Sequence, residues 1–310
     1  MRKTSILRKL LEQGKIIVAP GAHNAITAKI VETTGFDVVY MPGGGTATAF
    51  LGMPDTGLIT MNEMVTMAKH IADAVNIPVI ADADTGYGNA INVMRTVKEY
   101  IQAGIAAIHV EDQISPKRCG HTRGKLLITT EEMIGKLRAA DKVRKEIDPD
   151  FVLIARCDAR TAVGGGIEDL IKRGNAYAKA GADIVFPESP LSVEELELLG
   201  KKIEAPLFAN MIIKGGLTPL VPFDYLQEMG YAIIIIPLAT LQLVIKLVTD
   251  FMRALKERGI EGLREFEDRM VTTAEAFTLA GFQEYQKLEE KYLPKEILKA
   301  RYKLETPGII

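Results

Sequence analysis

Three acidic residues follow two neighbouring apolar segments of the chain, at the point where each segment ends. Asp82 and Asp84 come after residues 78–81, and Glu111 comes after residues 107–110. Residues two apart in a strand point to the same side, so Asp82 and Asp84 would face Glu111 on the adjacent strand. Converging carboxylates repel one another unless a cation neutralises them, and oxygen ligands suit Mg²⁺ or Mn²⁺, whereas zinc prefers His or Cys. The spacing therefore predicts a magnesium site, with Mn²⁺ as the alternative ion.

Polar side chains also end several other apolar segments. Arg156, Glu188 and Asn210 each follow one of them. The planar fork of Arg156 suits a substrate carboxylate, and a salt bridge within the same rim is the alternative. For Glu188 and Asn210 the alternative is a helix cap or a solvated rim position, which such residues often occupy. Polar groups at six segment ends together favour a functional site at one edge of the predicted sheet.

Three consecutive glycines, residues 43–45, follow the apolar segment that ends in Tyr40 and Met41. Without side chains they let backbone N–H groups approach an anionic ligand, although a tight turn needs the same residues. His109 lies inside an apolar segment and is interpreted as a core histidine without a role in the site.

Cys119 stands in the polar segment Lys117-Arg118-Cys119-Gly120-His121. A thiol beside the cationic Lys117, Arg118 and His121 is a plausible proton donor whose pKa its neighbours tune. The alternative is a structural thiol, against which the charged surroundings argue. The segment is therefore predicted to carry an acid/base group.

A repeated unit positions these residues. Four times a glycine precedes a short apolar run, and four further apolar runs lie between, which predicts eight strands separated by helices: residues 16–19, 38–41, 78–81, 107–110, 151–154, 184–186, 206–209 and 233–236. Strands that are apolar on both faces and alternate with helices indicate a parallel sheet covered by helices. Eight units predict an α/β fold of the (β/α)8 TIM-barrel type. A doubly wound open sheet is the rival, but the first strand lacks its phosphate-binding glycine fingerprint.

Composition sets the wider limits. The chain has 310 residues, of which 47% are hydrophobic, and a net charge of −2. We expect one domain over residues 1–310, with a helical C-terminal extension from about 241 to 310 that packs partly on a partner subunit. The balanced charge predicts no nucleic-acid partner, and no apolar stretch is long enough to cross a membrane. Two cysteines and no secretory signal favour the cytoplasm.

The segment 117–121 resembles the gating-loop motif of the isocitrate lyase / phosphoenolpyruvate mutase superfamily. The resemblance covers most of the chain and includes, in order, Gly52-Met53-Pro54-Asp55, Asp82-Ala83-Asp84-Thr85-Gly86-Tyr87-Gly88, Val110-Glu111-Asp112-Gln113, Ala155-Arg156-Cys157-Asp158 and Asn210-Met211. Within the superfamily the chain resembles the short branch that contains 2,3-dimethylmalate lyase, methylisocitrate lyase, the petal death protein and carboxyphosphonoenolpyruvate mutase.

The resemblance implies a role for each motif residue. It implies a barrel whose last helix is exchanged between paired subunits, usually in a tetramer, and a small 2-hydroxy or 2-oxo acid as substrate. It implies that Mg²⁺ is organised by Asp82, Asp84 and Glu111, with Asp55 nearby. Cys119 would be the general acid/base on a loop that closes over the substrate, with Tyr40, Lys117 and His121 as further catalytic groups. The remaining site positions would bind substrate: Pro42, Gly43, Gly44, Gly120, Arg156, Glu188 and Asn210.

Departures from the superfamily pattern narrow the substrate. Pro42 stands where many members have Ser or Thr, Cys157 replaces a usual Thr, residues 212–218 lack an acidic residue and a later Lys, and no Arg lies near Gln242. These changes disfavour a tricarboxylic substrate. The interpretation is a magnesium-dependent lyase that cleaves a substituted malate, of the 2,3-dimethylmalate or 2-methylisocitrate class, into a 2-oxo acid such as pyruvate and a carboxylate such as propionate or succinate. Carboxyphosphonoenolpyruvate phosphonomutase, oxaloacetate decarboxylase or hydrolase, and a non-catalytic binding barrel are the alternatives.

Overall fold

The computed structural model describes residues 1–302, and each predicted apolar segment forms a strand in it. All neighbouring strands are parallel, in the order β1-β8-β7-β6-β5-β4-β3-β2. Between β1 and β2 the sheet is joined by the Ala22 N–H, which donates to the Tyr40 carbonyl at 2.8 Å. The predicted (β/α)8 barrel is therefore confirmed, and its strands are β1 Ile17–Pro20, β2 Val39–Met41, β3 Val79–Asp82, β4 Ala107–Glu111, β5 Val152–Cys157, β6 Ile184–Pro187, β7 Leu207–Asn210 and β8 Tyr231–Ile236.

Helices connect the strands and cover the outside of the sheet. Several begin at a side-chain cap, such as Asn24, Thr60 and Ser192, each of which accepts a backbone N–H of the first helical turn. Such caps satisfy N–H groups that the helix itself leaves unpaired. The helices of the barrel are α1 Lys3–Glu12, α2 Ala25–Thr33, α3 Gly43–Leu51, α4 Met61–Ala74, α5 Ala90–Gln102, α6 Thr130–Ile147, α7 Ile167–Lys179, α8 Val193–Lys202 and α9 Phe223–Glu228.

Strand alternation explains where the polar residues lie. Residues two apart on a strand face the same side, and Ile80, Ile154, Phe186 and Phe208 all belong to one buried cluster inside the barrel. The next residue with the same orientation on each of these strands is polar, namely Asp82, Arg156, Glu188 and Asn210. The inner face of the barrel is therefore apolar towards the N-terminal ends of the strands and polar at their C-terminal ends. Active sites of such barrels lie at the C-terminal ends.

The opposite end of the barrel is closed by α1. Leu7 is fully buried and belongs to the same cluster as the inward-facing residues of the strands. Arg8 fixes the helix by an ion pair with Asp183 at 2.8 Å. Because an apolar side chain fills this end, the polar layer at the other end is the part of the barrel interior that a ligand can reach.

By compactness the chain divides into two units, Met1–Gln242 and a second one that begins at Leu243. The second unit contains most of α10 (Ala239–Arg258) and all of α11 Ile260–Arg264, α12 Thr273–Ala280, α13 Phe282–Tyr292 and α14 Lys295–Arg301. The predicted extension continues to residue 310, so residues 303–310 of that prediction lie outside the described residues. Exchange of a helix between subunits stays a prediction. No helix within residues 1–302 is long and apolar enough to span a bilayer.

Candidate active site

The acidic residues at the ends of β3 and β4 come together. Asp82 is the last residue of β3 and pairs with His109 on β4. The Asp84 N–H donates to Asp82 Oδ1 at 2.8 Å, and the Glu111 N–H donates to the Asp84 carbonyl at 2.9 Å. Asp82, Asp84 and Glu111 are all buried. The predicted cluster of three carboxylates is therefore present at this end of the barrel.

The predicted reason for this convergence is wrong for Asp84. The interpretation placed Asp82 and Asp84 on one side of a continuing strand, but β3 ends at Asp82. Asp84 lies in the turn beyond it with a left-handed backbone, at φ of 45°. Asp adopts this conformation more readily than most residues. A turn, rather than strand alternation, brings the second carboxylate back to the first.

Lys117 lies among these carboxylates. Its Nζ is 2.5 Å from Asp55 Oδ1 and 3.0 Å from Asp84 Oδ1. Burial alone would lower the pKa of Lys117, but Asp84, Glu111 and Asp55 outweigh it and hold the pKa well above its usual value. The Lys117 side chain is thus an ammonium that neutralises part of the acidic cluster.

Glu111 is a buried acidic residue whose carboxylate accepts no hydrogen bond from the described residues. Desolvation raises the pKa of Glu111 well above its usual value, although Arg156 acts in the opposite direction. Desolvation also raises the pKa of Asp84, to about 6, against the effect of Lys117. Buried carboxylates without donors are costly unless a positive charge joins them.

The spacing of the acidic groups favours one kind of ion. Within residues 1–302, no three His, Cys, Asp or Glu side chains are close enough together to enclose an ion directly. Mg²⁺ keeps several of its waters and is commonly bound through one or two carboxylates. A structural zinc ion instead takes four protein ligands directly. The acidic cluster therefore fits Mg²⁺ or a similar ion held partly through water.

The glycines after β2 form the first turn of α3, whose N-cap is Pro42. The Gly43 N–H donates to Asp82 Oδ2 at 3.1 Å. A β-carbon would lie 2.6 Å from Asp82 Oδ2 at Gly43, and 2.8 Å from the Asp55 carboxyl carbon at Gly44. Only glycine leaves the acidic side chains this close to the helix. The N–H groups of a first helical turn and the helix dipole both favour an anion, and binding of an anionic ligand by this segment stays a prediction.

Arg156 already uses one edge of its guanidinium within the rim. Nε and Nη2 donate to the two oxygens of Asp158 at 2.9 and 3.1 Å. Glu111 Oε2 and Glu188 Oε2 lie 3.3 and 3.7 Å from the same Nε. The salt bridge that was the alternative for Arg156 is therefore present. A substrate carboxylate would have to bind the remaining edge, formed by Nη1 and the second hydrogen of Nη2.

His109 is a buried core residue, as predicted, but it also lies close to two of the predicted site residues. Its Nε2 lies 2.8 Å from the Tyr40 hydroxyl, and its Nδ1 lies 3.6 Å from Asp82 Oδ1. Burial lowers the pKa of His109 to about 4. The ring therefore links a predicted catalytic residue to a predicted metal residue. Strand alternation could have revealed this, since His109 and Glu111 are two residues apart on β4 and share a face.

The loop 117–121 lies over the acidic cluster. The Cys119 N–H donates to the Asp55 carbonyl at 3.2 Å. Burial raises the pKa of the Cys119 thiol, and Asp55 raises it further. Arg118, expected beside the thiol, is exposed and donates instead to the Arg123 carbonyl at 3.2 Å. The thiol is therefore favoured in its protonated form, which suits a proton donor.

His121 joins the loop to two other parts of the rim. The Leu217 N–H donates to His121 Nδ1 at 2.9 Å, so that nitrogen carries no proton. His121 Nε2 lies 2.7 Å from Glu188 Oε1 and must donate to it. Asn210 Nδ2 lies 3.3 Å from both Glu188 oxygens. The His121 side chain is therefore engaged by Glu188 and Leu217.

The predicted site residues thus gather at one end of the barrel, although their individual roles stay predictions. Sequence reasoning missed three buried neighbours of the loop: Asp158, Lys125 and Ser189. Asp158 is two residues beyond Arg156, a spacing that could have placed it on the same side. Nothing in the local sequence marks Lys125 or Ser189, because their contacts join segments that are far apart in the chain.

The position of Gly120 leads to a first prediction. A β-carbon there would lie 2.4 Å from Arg156 Nη2 and 2.5 Å from Glu188 Cγ. We expect Gly120→Ala to hold the loop away from the site and to lower kcat/KM at least 10-fold, since small displacements of positioned groups have large kinetic effects. Steady-state kinetics measures this. Gly135→Ala on α6, where a β-carbon would meet no atom within 4 Å, serves as the control, and equal kinetics for wild type and Gly120→Ala would contradict close packing of the loop.

The comparisons with known proteins agree with this geometry. The family model described as phosphoenolpyruvate phosphomutase matches residues 7–256. The chain belongs to the PEP mutase/isocitrate lyase superfamily. Among curated members, 2,3-dimethylmalate lyase of Eubacterium barkeri is 46% identical over 94% of this chain and 99% of its own length. The 2-methylisocitrate lyase of Aeropyrum pernix is 40% identical over 98% of this chain and 96% of its own length.

Solved structures of superfamily members share the fold. A crystal structure of 2,3-dimethylmalate lyase superposes with a TM-score of 0.87 at 37% identity, covering 94% of this chain and 95% of that one. Phosphonopyruvate hydrolase in complex with oxalate and Mg²⁺ superposes with a TM-score of 0.83 at 31% identity, covering 95% and 100%. The predictions of this superfamily, of its barrel and of a carbon–carbon lyase are therefore confirmed.

Proposed function

We propose that this superfamily member is a magnesium-dependent lyase that cleaves a substituted malate into a 2-oxo acid, such as pyruvate, and a carboxylate, such as propionate. The observation that carries the proposal is the position of Cys119, a thiol whose pKa burial raises, on a loop that covers a buried acidic cluster. Similarity to 2,3-dimethylmalate lyase along nearly the whole chain supports the substrate class.

Asp84, Asp82, Glu111 and Asp55 would hold the metal, with water completing its coordination. Neither oxygen of the Glu111 carboxylate accepts a hydrogen bond among the described residues, although Arg156 Nε lies 3.3 Å from Oε2, and this supports the assignment. A bound divalent cation would supply Lewis-acid charge at the oxygens of a 2-hydroxy acid. Phosphonopyruvate hydrolase, solved with oxalate and Mg²⁺, supports the choice of ion, with Mn²⁺ as a substitute.

Residues of the chain would perform the other steps. The first turn of α3, at Gly43 and Gly44, and the free edge of Arg156 would bind the carboxylate of the 2-oxo acid part. Tyr40, held by His109, would contact the same part of the substrate. When the carbon–carbon bond breaks, its electron pair remains on the leaving carboxylate fragment. Cys119 would donate a proton to that carbon, and the proton lost by the substrate hydroxyl restores the thiol over one turnover.

The rim supports a small substrate rather than a tricarboxylate. Gln242 Nε2 donates to the Lys214 carbonyl at 3.1 Å, so this side chain is engaged with the backbone. Ile213 and Leu217, in the segment that lacks the superfamily's usual acidic residue and Lys, are apolar and exposed. A third substrate carboxylate would find little to bind there, whereas methyl groups would be tolerated.

A substrate panel tests this proposal. The enzyme would be incubated with Mg²⁺ and separately with 2,3-dimethylmalate, 2-methylisocitrate, oxaloacetate and a carboxyphosphonate, with products identified by mass spectrometry. We expect pyruvate and propionate from 2,3-dimethylmalate, and loss of turnover after chelation of the metal. If neither 2,3-dimethylmalate nor 2-methylisocitrate is cleaved, the lyase proposal fails. Oxalate and acetate formed from oxaloacetate would then indicate a hydrolase, and a phosphonate product would indicate a phosphonomutase.

The oligomeric state of the protein and its location in the cell are also proposals. We expect a homotetramer formed as a dimer of helix-swapped dimers, in the cytoplasm. Large apolar side chains of α10 are exposed in the single chain, among them Leu243, Ile245, Val248 and Met252. A second copy that covers them would remove this surface from water. Light scattering coupled to gel filtration measures the mass, and a stable monomer at micromolar concentration would contradict the tetramer.

A further inference from the structure

The carbonyl of Gly120, next to the proposed proton donor, is held by two buried side chains from outside the motif 117–121. Lys125 Nζ donates to it, and Ser189 Oγ lies 3.1 Å from it. Gly120, Lys125 and Ser189 are all buried. The two residues come from different segments, one after the loop and one after β6, so they fix the loop from two directions.

The Lys125 ammonium also reaches the base of the site. It donates to Thr161 Oγ1 at 2.6 Å and lies 3.5 Å from Asp158 Oδ1. Asp158 in turn binds Arg156 through two hydrogen bonds. One ammonium therefore contacts both the loop carbonyl and the carboxylate that orients the predicted substrate-binding arginine. A buried ammonium needs all of its acceptors, because an unmade hydrogen bond to a buried charge is costly.

Ser189 makes a parallel connection on the other side. Its hydroxyl lies 3.0 Å from Glu188 Oε1 as well as 3.1 Å from the Gly120 carbonyl. Glu188 accepts from His121, which belongs to the loop. The loop carbonyl and the loop histidine thus bind to adjacent residues at the end of β6.

We propose that Lys125 and Ser189, named here the Gly120 clamp, are positioning residues that hold the loop in its closed place and align Arg156 through Asp158. The clamp couples closure of the loop over the substrate to the orientation of Arg156, which is proposed to bind the substrate carboxylate. Movement of the loop away from the site would leave Lys125 without one acceptor and would free Asp158 to shift with Arg156. This inference rests on the proposed function for its catalytic consequence, but not for its effect on the loop.

Thiol accessibility tests the clamp without reference to any substrate. In Lys125→Met and Ser189→Ala the loop would open more often. We therefore expect iodoacetamide to alkylate Cys119 about 10-fold faster or more than in wild type. Mass spectrometry of the Cys119 peptide measures the rate of alkylation. Oxalate with Mg²⁺ would protect Cys119 less well in the variants. Lys125→Arg should restore slow alkylation in part, since it keeps a charged donor.

A matched control separates positioning from stability. Lys3, at the other end of the barrel, donates to the carbonyls of Ala72 and Val75. Lys3→Met removes a similar contact and should lower the melting temperature without changing Cys119 alkylation. If Lys125→Met does not fold, Ser189→Ala alone decides the question.

Kinetics adds the second readout. Under the proposed function, the clamp variants would show a higher KM together with a lower kcat, because Arg156 and the loop are both displaced. Faster alkylation without any malate cleavage in wild type would retain the clamp and reject the proposed substrate. Unchanged alkylation in folded Lys125→Met and Ser189→Ala would overturn the clamp, whatever the enzyme cleaves.

Discussion

Cys119→Ser is expected to lower kcat for cleavage of a substituted malate by about two to four orders of magnitude, the usual contribution of a positioned acid or base. The serine hydroxyl is a much weaker acid than the thiol, so the leaving carbanion would not receive its proton in time. Binding of oxalate in the presence of Mg²⁺ should persist, because the side chains proposed to bind the metal and the substrate carboxylate, such as Asp82, Glu111 and Arg156, lie on β3, β4 and β5 and not on the loop. Single-turnover kinetics and calorimetry measure the two effects separately.

The second cysteine of the chain provides the control. Cys157 is fully buried at the end of β5, and burial raises the pKa of its thiol well above the usual value. Cys157→Ser should leave kcat within a few-fold of wild type, since this thiol faces the protein interior. A Cys119→Ser enzyme that turns over like wild type, beside an active Cys157→Ser enzyme, would remove Cys119 from the mechanism.

The barrel and the polar end of its strands could be predicted because both depend on local patterns. Short apolar runs predict strands, and the residue after each run marks the C-terminal end of the barrel. Asp82, Glu111, Glu188 and Asn210 were found in this way and lie at that end. The information is carried by neighbouring residues in the chain, so one sequence is sufficient.

The electrostatic state of the site could not be predicted in the same way. The sequence predicts three cations beside Cys119, but Arg118 is exposed and the His121 ring lies between Leu217 and Glu188. The pKa of the thiol is consequently raised by burial rather than lowered by cations. Side-chain direction and tautomer depend on partners that are distant in sequence, and adjacency in the chain does not determine them.

The same limit applies to supporting residues. His109 could have been identified from its alternation with Glu111, and Asp158 from its spacing to Arg156, but the contacts of Lys125 depend on the path of the loop. A sequence motif indicates which residues contact the substrate. The residues that hold the motif in place are found only when the chain is folded, and they offer variants that alter position without removing a reacting group.

Asp84→Asn is expected to raise the concentration of Mg²⁺ needed for half-maximal turnover at least 10-fold and to lower kcat. Asp84 is buried, its Oδ1 has no hydrogen-bond partner among the described residues, and the same oxygen lies 3.0 Å from Lys117 Nζ. Asn keeps the shape of the side chain and tolerates the left-handed backbone at this position, so the turn should survive. The variant therefore removes one negative charge where the cation would bind. Titration calorimetry with Mg²⁺ measures the resulting loss of metal affinity in the absence of substrate.

Asp141→Asn on α6 is the matched control for this charge removal. Asp141 forms ion pairs with Arg144 at 2.8 Å and Lys145 at 2.6 Å, on the outside of the barrel. Its loss should change stability slightly and leave the Mg²⁺ dependence unchanged. The two variants alter net charge equally, so only a site at the ends of β3 and β4 makes them differ. Equal Mg²⁺ affinity in wild type and Asp84→Asn would place the metal elsewhere, and Glu111 would then need another explanation for its unpaired oxygens.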